Sequence, residues 1–281
     1  MKQRQAFSFI EISIILIVIS LLIAGAVSYR GNLFNSSKLN KIKNFTKNSP
    51  LKDLEHLAIW LDTATKKSFR NSEMTNGGYL SVWKNIAPNN YDKINFSQSN
   101  SSYQPKYIFD NKDGLPTISF DGNDYLFIDN IFGHQFTKYN QFTLFIVQKY
   151  NSPNHDSKTI YWESTGANKF TMKLINSSGD AVTHFANNTM SSAVESSFKN
   201  SWNIITFSMN SDDNLSIRIN GSLIDSSTES DDFDVTATSD FKIGSGLNGE
   251  IREIAVIKNK ISDQAIEEVE KYLSKKWNID L

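Results

Sequence analysis

Cysteine is absent from the 281 residues, which excludes a disulfide scaffold, a thiolate nucleophile and cysteine-ligated zinc. Neither sign of charge is in excess, since 29 basic and 30 acidic side chains leave a net charge of −1. The basic field that gathers nucleic acid is therefore missing, and no nucleic-acid partner is expected. Histidine is sparse, and His56, His134, His155 and His184 lack any H-x-x-x-H spacing, so no metal site is expected from them. Glycine and proline are few, at 13 and 5, beside 12% aromatic residues and abundant Ser, Asn, Thr and Ile. That usage favours strands joined by polar loops over a helical bundle. The length suits one large domain with an N-terminal appendage, and a domain of this size buries an adequate core without disulfides.

What the chain does have is one long apolar run, "AFSFIEISIILIVISLLIAG", from Ala6 to Gly25. Extended to Tyr29, it has roughly the 20 residues that a helix needs to cross a bilayer. Lys2 and Arg4 precede it, which places the N-terminal end in the cytoplasm and exports everything after Arg30. Glu11 is out of place there, because an ionised side chain inside a membrane helix costs ~3 kcal/mol or more without a partner. A cleaved secretory signal, with Ala24-Gly25-Ala26 as its cut site, leaves the acid unexplained, and so does a plain signal anchor.

The residues Ala6-Phe7-Ser8-Phe9-Ile10-Glu11 resemble the prepilin signal of type IV pilins and type II secretion pseudopilins. The resemblance implies cleavage between Ala6 and Phe7 by a prepilin peptidase and N-methylation of Phe7. It also implies that Glu11, at the fifth position of the mature chain, meets the terminal amine of a neighbouring subunit. Two departures stand out: Ala6 replaces the family's usual glycine, and Ser28 stands where a proline is common. The organisation expected is a leader over 1–6, a transmembrane pilin-type helix over 7–30, a stalk or linker over 31–50 and a domain over 51–281. In the stalk, Leu39, Ile42 and Phe45 lie at i, i+3 and i+6, which predicts a partly helical segment ending before Ser49.

Beyond Pro50, short strand-like runs alternate with polar turns. Expected strands are Leu57 to Leu61, Thr117 to Phe120, Tyr125 to Ile128, Phe142 to Gln148, Thr159 to Trp162, Phe170 to Ile175, Trp202 to Met209, Leu215 to Ile219 and Glu250 to Ile257. Asn220-Gly221 between two alternating runs predicts a tight type I′ hairpin. The last segment is helical by pattern, with Ser262 as cap and Ile266, Val269, Leu273 and Trp277 as one apolar stripe. "LAIWLDTATKKSF", "LSVWKN", "QPKYIFDNKDGLPTISFDGNDYL" and the closing "FKIGSGLNGEIREIAVIKNKISDQAIEEVEKYLSKKWNI" resemble a bacterial LamG-like domain of the concanavalin A-like lectin/glucanase superfamily. The fold expected is therefore mainly β, an antiparallel jelly-roll sandwich with a transmembrane helix before it and a helix after it.

Gly244-Ser245-Gly246-Leu247-Asn248-Gly249 spells G-x-G-x-x-G, but a dinucleotide site needs a helix next, and "EIREIAVI" alternates like a strand. A glycine turn between strands is the expected reading. Glu163-Ser164-Thr165-Gly166 lacks the first glycine and the context of a nucleophile elbow. Glu250-Ile251-Arg252-Glu253 lacks the E-x-D-x-x-E spacing of the superfamily's glycanases, so catalysis is not expected. No cofactor is expected, with Ca²⁺ at the acidic loops of Asp212-Asp213 and Asp231, Asp232 and Asp234 as the alternative to solvated turns. Of the tryptophans, Trp60, Trp83 and Trp277 fit core packing, and Trp162 is the ligand-binding candidate. The expected function is a pilin-like or pseudopilin-like filament subunit displaying a recognition or adhesion domain, with a secreted or membrane-anchored glycan-active enzyme as alternative. Its expected partners are the prepilin peptidase, other pilin or pseudopilin subunits, the membrane, and a carbohydrate or protein on a surface. Its expected location is the bacterial inner membrane before assembly and a filament afterwards, with the domain periplasmic or extracellular.

Overall fold

The computed structural model describes Ile17, Ser20 and residues 37–88, 95–110, 112–128, 141–151, 158–163, 169–174, 181–185, 188–192, 200–212, 214–228 and 241–281. Lys158 and the strands between 161 and 192 are described through their backbone. The chain divides into two compact units, and the second, Ile42–Leu281, carries the sheets.

A helix α1 over residues 37–47 leads into the second unit, where Ile42, Thr46 and Ser49 are buried. There follow β1 (Leu57–Asp62), β2 (Gly78–Tyr79), β3 (Val82–Lys84), β4 (Asn95–Ser97), β5 (Lys106–Phe109), β6 (Pro116–Asp121) and β7 (Leu126–Ile128). The middle of the chain forms β8 (Phe142–Tyr150), β9 (Lys158–Glu163), β10 (Lys169–Leu174), β11 (Ala181–Phe185) and β12 (Asn188–Ser192). The last third forms β13 (Asn203–Met209), β14 (Asn214–Ile219), β15 (Ser222–Thr228), β16 (Phe241–Ile243), β17 (Asn248–Ile257) and the helix α2 (Asp263–Trp277).

The first sheet runs β15-β14-β13-β8-β17-β6-β5-β2, with β1 pairing the C-terminal half of β17. The second runs β12-β11-β10-β9-β16-β7-β4-β3. Period-2 alternation decides which side chains meet between them. Ile59, Leu61, Ile118, Leu144 and Ile254 of the first sheet form one core with Trp83, Phe96, Leu126, Ile160 and Phe241 of the second. Two turns depend on backbone freedom. Asn220 and Gly221 have φ of 47° and 80°, which the expected type I′ hairpin requires. Gly244 has φ of 83°, and a Cβ there would fall 2.2 Å from the Phe120 ring, so the glycine-rich stretch is a turn packed on the core.

The face of the first sheet opposite the core is covered by α2. Its Ile266, Val269, Leu273 and Trp277 are all buried, each contributing ~1.5–3 kcal/mol of apolar burial. The expected cap is in place, since Ser262 Oγ accepts the Ala265 N–H at 3.2 Å, and Asn278 ends the helix in the left-handed conformation. Among the described residues no α-helix packs on the outer face of the second sheet, where the short 3-10 turn Ser101–Tyr103 meets Tyr125; there Asn95 and Ser97 are exposed and Phe127 and Lys242 half-buried.

The expected inner-membrane location is corrected by the structure. Among the described residues no helix is long and apolar enough to cross a membrane. The longer described helix, α2, has 15 residues, fewer than a bilayer needs, and carries a charged face. The segment expected to span, 7–30, lies outside the described residues except for the helical positions Ile17 and Ser20.

Candidate functional site

Two groups of charged and aromatic side chains occupy the outer face of the first sheet. A β-bulge positions both. The register of β17 against β8 shifts between Ile251 and Glu253, so both Ile251 and Ile254 reach the core while Glu253, between them, turns to the helix side. There Lys276 Nζ donates to Glu253 Oε2 at 2.7 Å and to Asp62 Oδ2 at 2.8 Å, with all three side chains at 0% exposure. Trp60 Nε1 donates to Glu253 Oε1 at 2.8 Å and Trp277 Nε1 to Glu253 Oε2 at 2.6 Å. Asp62 accepts from Thr46 Oγ1 at 2.6 Å and from the Ala64 N–H at 2.8 Å. Burial alone would neutralise Lys276, but Asp62 and Glu253 reverse that and raise its pKa, holding it charged. Lone pairs and donors are used up internally, and no face of this group is left for a ligand.

The second group borders the first. Lys149 Nζ lies 2.7 Å from Asp110 Oδ2 and 3.0 Å from Glu250 Oε2. Arg252 Nη2 donates to both Asp113 oxygens, at 2.8 and 2.7 Å, and its guanidinium stacks 3.8 Å from the Trp202 ring centre. Trp202 Nε1 in turn donates to Asp110 Oδ2 at 3.0 Å. Burial pushes the Asp110 carboxyl up, yet the Lys149 hydrogen bond and charge prevail and bring it down to about 2. Burial raises the Glu250 carboxyl above its ordinary range.

The outer face of the second sheet is different in kind. On β7, Leu126 and Ile128 enter the core, so Tyr125 and Phe127 face outward. Their ring centres lie 6.0 Å apart, and Tyr103 continues the row 5.5 Å beyond Tyr125. Successive rings are tilted by 34° and 43°, which makes a twisted aromatic strip. Tyr103 is held in place by its own turn: the Tyr125 N–H donates to the Tyr103 carbonyl at 3.0 Å, and Asn100 Oδ1 caps the turn through the Ser102 N–H at 3.0 Å. On the neighbouring strand Lys242 stands opposite Phe127, with Nζ 5.7 Å from the Tyr125 ring centre. At the far end Asp124 is 6% exposed and accepts the Asp121 N–H at 3.2 Å. Desolvation, helped by the Asp121 charge, pushes its carboxyl up to about 6.

Ala6, Phe7 and Glu11 lie outside the described residues, as do His134, His155, Asp213, Asp231, Asp232 and Asp234. Trp162 occupies a position on β9 directly across from the core residue Phe241 and two residues from the buried Ile160. Trp60, Trp83 and Trp277 are core residues, at 1%, 0% and 1% exposure. Among the described residues no group of three or more His, Cys, Asp and Glu could hold a metal ion. The row Tyr103–Tyr125–Phe127 was not singled out by the sequence reading. Its signal is the tetrapeptide Tyr125-Leu126-Phe127-Ile128, apolar throughout, in which one parity must face away from the core.

No family model matches the chain, and no curated protein matches it. Solved structures do. The binding domain of Paraclostridial Mosquitocidal Protein 1 superposes with a TM-score of 0.55 at 14% identity, covering 80% of this chain and 53% of that one. The sialidase of Trypanosoma rangeli, bound to a difluorinated 2-keto-3-deoxy-nononic acid, superposes at 0.51 with 13% identity, covering 85% and 39%. The same sialidase in complex with sialic acid gives 0.50, 13%, 78% and 33%. The chain thus spans about half of the first structure and about two fifths or less of the sialidase. The fold is an antiparallel β-sandwich of jelly-roll type. At these identities the likeness speaks for the fold alone.

Proposed function

We propose that the sandwich is a carbohydrate-recognition domain whose ligand lies on Tyr103, Tyr125 and Phe127, and that a prepilin-type N-terminus makes the chain a filament subunit displaying it. The observation that carries the first part is a row of three tilted rings on a sheet face over which no described α-helix packs. Sugar rings stack on aromatic faces, and a twisted strip follows a twisted glycan chain. The second part rests on the sequence: Ala6 and Phe7 as the cleavage pair, Phe7 as the methylated amine and Glu11 as the contact to the next subunit.

Recognition is favoured over hydrolysis by the surroundings of the two nearest acids. Glu253 is 1% exposed and holds Lys276, Trp60 and Trp277, so a substrate could reach it only by displacing α2. Glu250 is tied to Lys149. The test is a glycan array probed with the full chain and with Tyr125→Ala. Binding that Tyr125→Ala abolishes is expected; binding that survives it would refute the site. Polysaccharide hydrolysis lost in Glu250→Gln would establish the enzyme instead. For the filament role, mass spectrometry of the mature N-terminus should find methylated Phe7, and a start at Met1 or Val27 would refute it.

A further inference from the structure

The rings set where a sugar would lie, and the groups beside them set which sugar. On β4, Phe96 enters the core, so Asn95 and Ser97 on either side of it face outward, and both are exposed. Ser97 lies directly across from Phe127, which brings its hydroxyl to the edge of the aromatic row. Asn95 stands one step further along the same face. Its Oδ1 accepts the Asn85 N–H at 3.1 Å, and its amide NH2 remains as a donor.

The described charges around the row already answer to groups of the protein. Lys242 Nζ stands 5.7 Å from the Tyr125 ring centre, and Lys106 Nζ 5.1 Å from that of Tyr79. Lys84, across from Asn95, donates to the Phe69 carbonyl at 3.1 Å. Asp121 Oδ1 accepts the Asn123 N–H at 2.9 Å, and Asp124 accepts the Asp121 N–H at 3.2 Å. A charged sugar would have to draw one of these groups from its partner and shed its own hydration as well. A neutral sugar asks only for ring faces and hydroxyl partners, and both are present. Successive rings are 5.5 and 6.0 Å apart, close to the repeat of a hexose chain, so each ring meets one sugar. Resting on the carbohydrate reading above, we infer that Tyr103, Tyr125 and Phe127 take three consecutive sugars of a neutral glycan chain, with Ser97 hydrogen-bonding the sugar stacked on Phe127.

The full chain should be titrated calorimetrically with neutral trisaccharides (cellotriose, xylotriose, maltotriose and laminaritriose), with their monosaccharides, and with acidic probes (tri-galacturonate and sialyllactose). The tightest probe should be a neutral trisaccharide, binding about tenfold or more above its monosaccharide because two further rings are stacked. Ser97→Ala should weaken that trisaccharide about fivefold, the loss of one neutral hydrogen bond, and Ser97→Thr should keep most of the affinity. An acidic probe that binds more tightly than every neutral one, a monosaccharide that matches its trisaccharide, or unchanged affinity in Ser97→Ala would overturn the inference and leave the carbohydrate reading standing. Failure of every probe to bind would overturn both.

Discussion

Behind the first sheet, Lys276 lies at 0% exposure with both its carboxylate partners supplied by the protein; in front of the second, Lys242 lies half-buried beside Tyr125 and Phe127. Both are lysines next to aromatic rings, and the difference is what covers them. A buried ammonium must be answered internally, because an unanswered one costs several kcal/mol. Lys276, Asp62 and Glu253 thereby fix where α2 docks and join it to α1 through Thr46. A half-buried lysine loses less hydration, so what it touches constrains the fold less. Charge behind the first sheet specifies structure, and charge in front of the second constrains it less.

The largest expected effect breaks the buried side of this contrast. Lys276→Met leaves Asp62 and Glu253 without their cation and should cost ~3–5 kcal/mol, read as a lower urea midpoint at unchanged slope. A loss below ~1 kcal/mol would mean the cluster is not what seats α2. Arg252→Lys is next. It keeps the charge and gives up the guanidinium stack on Trp202 and the double contact to Asp113, for ~1.5–3 kcal/mol. Lys242→Ala, by contrast, should stay within about 0.5 kcal/mol, as substitutions away from buried networks do. Equal losses at Arg252 and Lys242 in thermal unfolding would erase the distinction between the two faces.

Much of this frame was legible in the sequence, and the reasons differ by element. Expected strands such as Phe142 to Gln148 and Leu215 to Ile219 are present within two residues, because long apolar or strictly alternating runs leave little choice. Ser262 and the stripe of α2 were readable for the same reason. Of the strands of two to five residues only β7, with its apolar Tyr125-Leu126-Phe127-Ile128, was expected; β2, β3, β4, β5, β11, β12 and β16 were not, since so short a run rarely carries a period. The bulge at Arg252 was hidden too: "EIREIAVI" reads as one alternation, whereas the phase breaks in its middle and re-aims Glu253. Nor could local pattern pair Lys276 with Asp62, 214 residues apart. The cap can still be tested locally: Ser262→Ala should cost ~1 kcal/mol. That loss, smaller than the one at Lys276, would show the buried cluster outweighing the cap in holding α2 on the sheet.

The last change should raise stability, and it tests the second sheet's side of the comparison. Asp124 is 6% exposed, with Asp121 and Lys106 as the charged groups acting on it, and its carboxyl titrates at about 6 against an ordinary 3.8. Between those values the folded protein holds a proton that the unfolded chain has released. Stability therefore falls as pH rises from about 4 to about 6, and the deficit persists above that range. Asp124→Asn keeps the shape and removes the titration, so its melting temperature should exceed that of the parent at pH 7 and converge with it near pH 4. An offset that is the same at both pH values would assign the effect to a lost hydrogen bond to Asp121 instead of to charge.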